Sequence, residues 1–118
     1  EIPLRLVGSE MCIRADARQA LTRGNTQLKT LSIKKAEAER NYRIRKAQEI
    51  LKLRAEKYPV TIIQDVVKGD KEVAELRLKR DIAESDYYTC ISAIENLRLD
   101  IEILRSKLTW LRVELKNS

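Results

Sequence analysis

The sequence has no histidine and no phenylalanine, and only three glycines, two prolines and two cysteines among its 118 residues. Without histidine the usual proton shuttle near neutral pH and the commonest metal ligand are missing, and a thiol nucleophile lacks its normal base. Cys12 and Cys90 make neither a disulfide framework nor a CxxC pair, which favours a reducing compartment. No apolar run approaches the ~20 residues that cross a bilayer, and the opening stretch lacks the apolar core of a secretion signal. Neither a glycine-rich phosphate loop nor a metal-ligand spacing occurs. Asp81, Glu84 and Asp86 form an acidic cluster, which on a long helix reads as a solvated face. These absences lead us to expect a non-enzymatic, cytoplasmic protein with no cofactor, no metal and no membrane association.

What is present is charge and aliphatic side chains: 36% of residues are charged and 43% hydrophobic, the balance of long helices rather than a thick globular core. From Val73, steps of three and four residues reach Leu76, Arg80, Ala83, Tyr87, Cys90, Ile94, Leu97, Ile101, Leu104, Leu108, Leu111 and Leu115, and only Arg80 on this track is charged. Such spacing over six heptads is what coiled-coil packing requires. No Gly or Pro interrupts residues 71–116, so one helix is expected there. Leu78, Ile82, Leu99, Ile103, Trp110 and Val113 fall on a second stripe of the same helix, a candidate oligomer or partner interface.

The first helix is less regular. Leu28, Leu31, Ala38 and Tyr42 mark one track, and Ile44, Ala47, Leu51, Ala55 and Tyr58 a shifted one. Pro59 stops it. In the connecting "YPVTIIQDVVKGD", Thr61 is placed to cap a short helix with Ile62, Ile63, Val66 and Val67 on one face; a strand through Val60–Ile63 is the rival reading. Gly69 suits a left-handed residue after that helix, and Asp70 the cap of the next. The expected fold is all-α: a long antiparallel helical hairpin, coiled-coil-like, with a short helical tip, assembling into an oligomeric bundle. The expected boundaries are a helix over about 26–57, a tip over 58–70 and a helix over about 71–116, within one domain at 16–118. Setting Lys57 beside Lys71 places Leu28 opposite Asp100. Residues 101–116 are then covered only if residues 12–27 are helical, which Gly24 and Asn25 disfavour.

The net charge of +6 is concentrated: residues 14–57 carry thirteen Lys or Arg against five Asp or Glu. Lys34, Lys35, Arg40, Arg43, Arg45, Lys46, Lys52 and Arg54 are therefore candidate nucleic-acid contacts. A surface that tracks phosphates needs only such charges, whereas stacking aromatics are nearly absent from it.

Two resemblances add to this reading. The stretches "AEAERNYR", "EILKLRAEKYPVTIIQDVVKGDKEVAELRLKRDIAESDYY" and "AIENLRLDIEIL" resemble uncharacterised small coiled-coil proteins of tailed phages and prophages of Gram-positive bacteria, of the early-gene type near recombination and replication functions. Near the start, "EMCIR" (Glu10–Arg14) resembles the read-through of a transposon-derived sequencing adapter, although Ala15 departs from it; residues 1–15 are accordingly expected to be non-native or disordered. Taken with the basic half and the second apolar stripe, the phage resemblance leads us to expect an accessory protein in DNA recombination or replication that acts in the bacterial host cell by binding nucleic acid, a phage recombination protein, or both, as a homo-oligomer. The alternative it implies is an inhibitor of a host defence complex, anti-CRISPR-like, acting by protein–protein binding on a host defence protein.

Overall fold

A computed structural model describes the backbone of residues 4–117 and the side chains of residues 12–117. Among the described residues three helices follow one another: α1 (Leu4–Ala55), α2 (Val60–Gly69) and α3 (Lys71–Asn117). Among the described residues there is no strand, so the strand reading of Val60–Ile63 is replaced by helix. The chain is an all-α helical hairpin. It divides into two compact units, residues 29–88 and residues 1–28 with 89–118.

The unit of residues 29–88 contains the reversal, and backbone chemistry explains it. Lys57 adopts a left-handed φ of 64°. Its N–H donates to the Arg54 carbonyl at 3.1 Å, and the Tyr58 N–H to the Leu53 carbonyl at 3.1 Å. This paired arrangement closes a helix C-terminus, normally with glycine at the left-handed position. Gly69 was expected in that role for α2, but it ends the helix without a positive φ. Pro59 precedes α2, with no side-chain cap bond, so Thr61 lies inside the first turn rather than capping it. Asp70 does cap α3: its carboxylate accepts the Val73 N–H at 3.1 Å.

Burial of α2 fixes the tip. Ile63 and Val67 point inward and join Tyr42, Leu53 and Val73 in one apolar cluster, with Ile50 and Leu76 against it. Ile62 and Val66 stay exposed, so half of the expected apolar face is solvated. Because α2 packs on the last turns of α1, Arg45 rather than Lys57 lies beside the start of α3, bonded to Glu72 at 2.6 Å. The expected register is corrected accordingly.

In the other unit, α1 and α3 pack closely at Gly24. A Cβ built there would lie 3.1 Å from Cγ1 of Ile94, and the Cys90 thiol lies 3.8 Å from the Gly24 carbonyl. Gly24 was expected to weaken a helix; here it admits the facing side chain. The pairing of Gly24 with Ile94 and Cys90 moves the partner of Leu28 roughly ten residues from the expected Asp100. Ala17 and Leu21 turn toward Ile101, Leu104 and Leu108, with which they line one small cavity. Helix α1 begins at Leu4 rather than near residue 26. Of the two expectations for residues 1–15, non-native or disordered, the disordered one meets helical backbone over 4–15, while residues 1–3 lie outside the described residues.

Candidate functional site

Along α1 the inward residues follow one uninterrupted track: Leu31, Lys35, Ala38, Tyr42, Arg45 and Glu49 in the unit of residues 29–88. The expected shift to Ile44, Ala47, Leu51, Ala55 and Tyr58 does not occur, because the 3-4 spacing continues through Arg45 and Glu49; those five are exposed. Charged side chains take the inward places instead, and each is matched. The Arg45 guanidinium donates to Glu72 at 2.6 Å and to buried Glu49 at 3.0 Å, with Asp70 at 3.6 Å. Hydrogen bonds to Glu72 and then Glu49 hold its pKa above the ordinary arginine value. Lys35 sits over the rings of Tyr87 and Tyr88, at 4.8 and 5.2 Å. Lys46 lies 5.8 Å from the Tyr42 centroid.

Arg80, the one charge on the α3 track, stacks 4.4 Å from the Tyr42 centroid. It also donates to Asp81 at 3.0 Å and lies 3.7 Å from Glu39. The bond to Asp81 raises its pKa, against the opposing effect of burial. Sequence reasoning found Arg80 but missed its ring partner and the inward turn of Arg45 and Glu49. Continuing the 3-4 spacing of Ala38 and Tyr42 by one heptad would have found both.

The basic candidates consequently divide. Lys35, Arg45 and Lys46 are half-buried in contacts of the fold, and Arg43 is bonded to Glu39 at 2.7 Å. Lys34, Arg40, Lys52 and Arg54 are exposed, with no ion pair among the described residues. A cleft of about 400 Å³ in this unit is lined by Lys35, Glu39, Arg43, Arg80, Glu84 and Tyr87, with others. Within it Arg43 is bonded to Glu39, and Arg80 lies 3.7 Å from the same carboxylate.

The outward side of α3 differs. In the unit of residues 29–88, Leu78 and Ile82 are each 52% exposed. In the other unit, Leu99, Ile103, Trp110 and Val113 are 45–69% exposed, Trp110 most of all. An open groove of about 580 Å³ runs beside them, lined by α3 residues that include Ser106 and Lys107. All six stripe residues are thus solvent-facing.

Asp81 is engaged by Arg80, and Cys90 is buried with its thiol toward a carbonyl. Among the described residues no group of three His, Cys, Asp or Glu is placed to hold a metal ion. No described helix is long and apolar enough to cross a membrane. No protein-family model, curated protein or solved structure matches this chain.

Proposed function

We propose that this protein is a non-enzymatic accessory factor of phage origin that serves DNA recombination or replication by binding a protein partner through the outward face of α3. The observation that carries the reading is the exposure of Trp110, at 69%, within a band made by Leu99, Ile103 and Val113. An aromatic flanked by aliphatics is the composition of interface cores rather than of solvated helix faces. Covering it recovers about 25 cal/mol per Å² of apolar area.

A nucleic-acid reading has its own observation, the exposed Lys34, Arg40, Lys52 and Arg54 on α1. Half of the eight candidates are engaged within the fold, so this surface offers backbone affinity rather than sequence recognition. It ranks second. The test is co-purification of the tagged chain from phage-infected bacterial extract, with and without nuclease. A complex with a recombination or replication protein that survives nuclease, and is lost on joint Ile103→Glu and Trp110→Glu substitution, supports the protein-binding reading. A complex that disappears with nuclease and ignores those substitutions overturns it.

A further inference from the structure

The outward face of α3 in the unit of residues 1–28 with 89–118 has a periodicity of its own. Asn96, Leu99, Ile103, Ser106, Trp110 and Val113 follow spacings of three and four, are exposed, and include no charge. On a chain that is 36% charged, an outward track free of charge is itself a coiled-coil seam awaiting a helix. Its borders are charged and exposed: Asp100, Lys107 and Glu114 on one side, Glu95, Glu102 and Lys116 on the other. None of these six has an ion pair among the described residues.

We propose that the helix received is the same face of a second copy, packed antiparallel. The inference rests on the reading above in taking this face as a binding face, and it names the first occupant. Charge selects both direction and register. In an antiparallel pair that sets Leu99 against Trp110 and Ile103 against Ser106, Asp100 faces Lys107 and Glu95 faces Lys116. By two-fold symmetry each of these contacts occurs twice. Sliding one heptad one way sets Asp100 against Asp100 and Glu102 against Glu102. Sliding the other way sets Lys107 against Lys107 and Asp100 against Glu114. A parallel pair would bring Glu95 beside Asp100. The chosen register alone among these opposes no like charges, and it places large side chains against large or small ones without a polar-only layer. Two hairpins joined in this way form a four-helix arrangement around the α3 pair.

Sedimentation equilibrium between 1 and 100 μM, concentrations chosen to span roughly micromolar affinity, tests the proposal on the full chain. A dimer is expected, with the emission of Trp110, the sole tryptophan, shifting to the blue as the dimer fills. Trp110→Glu should give a monomer of unchanged helicity. Lys107→Asp turns two attractive contacts into two repulsive ones and should weaken the dimer about tenfold. Adding Asp100→Lys to that variant should restore the dimer to within about twofold, because the swapped charges again oppose. A monomer at 100 μM overturns the proposal, as does a dimer indifferent to Trp110→Glu. Failure of the charge swap to rescue overturns the register. These outcomes are independent of the pull-down: a monomer that still captures a phage protein rejects self-pairing and leaves the protein-binding reading intact.

Discussion

Glu49 is the most deeply placed charge among the described residues, 6% exposed, and Arg45 is its hydrogen-bonded partner. Taking a carboxylate from water is costly, and its partner offsets that cost only while present. Arg45→Met should therefore lower the thermal midpoint by several degrees, by leaving Glu49 buried alone. Joint Arg45→Met and Glu49→Leu should recover most of the loss, since an apolar pair needs no partner. Calorimetry of the two variants decides this; equal loss in both would show that the other bonds of Arg45, to Glu72 and Asp70, carry the effect. The guanidiniums of Arg45 and Arg80 are both held above their ordinary value. The stability tied to their protonation is thus fully present at neutral pH and is lost, on the alkaline side, only as pH rises through those raised values.

At the scale of elements, the reversal between α1 and α2 is made by a residue badly suited to it. Lys57 holds φ at 64°, a conformation that costs a side-chain-bearing residue roughly 1–2 kcal/mol. Lys57→Gly should stabilise the protein by about 0.5–1 kcal/mol, the relief being partly cancelled by the freer unfolded chain. Urea unfolding at constant m measures it, and a destabilised variant would contradict the account. The same place shows how far the sequence could be read. Tyr58 before Pro59 announced a break, and Asp70 a cap, because both act through local chemistry. The identity of the left-handed residue was hidden, since Gly69 advertised itself and Lys57 did not. The face of α2 was half legible: Ile63 and Val67 are buried, but neighbouring Ile62 and Val66 differ from them only in what packs nearby.

For the whole molecule, charge is the readable quantity and its disposition the unreadable one. The excess of Lys and Arg over residues 14–57 is plain in the sequence. Which of those side chains face water depends on the contacts of Lys35 and Arg45 with Tyr87 and Glu72, which the hairpin register sets, and on the contact of Lys46 with Tyr42 one turn away in α1. That register was out of reach from sequence, because the length of α1 that α2 occupies is a tertiary matter. The α3 track was legible for the opposite reason: a 3-4 spacing is local, and of its thirteen positions only Leu111 is classed as exposed. With Lys34, Arg40, Lys52 and Arg54 as the available cations, the log–log salt slope of oligonucleotide binding should be near −3 to −4. A slope near −7, expected if all eight candidates made contacts, would mean that Lys35, Arg43, Arg45 and Lys46 leave the places seen here.

The cluster of Leu53, Ile63, Val67 and Val73 joins residues that are near neighbours along the chain. Loop-closure entropy for such contacts is small, so the tip is the part of the chain that can order first. Contacts such as Gly24 with Ile94 close a far longer loop and must wait. Val67→Ala should accordingly slow refolding by most of its equilibrium cost, about 1–3 kcal/mol. Ile94→Ala should leave refolding nearly unchanged and speed unfolding instead. Stopped-flow chevrons of the two variants report the difference directly. A chain growing from a ribosome would then have to deliver Ile63 and Val67 before any of α1 could find a lasting partner within its own molecule, and the long first helix would spend that interval with its inward face bare.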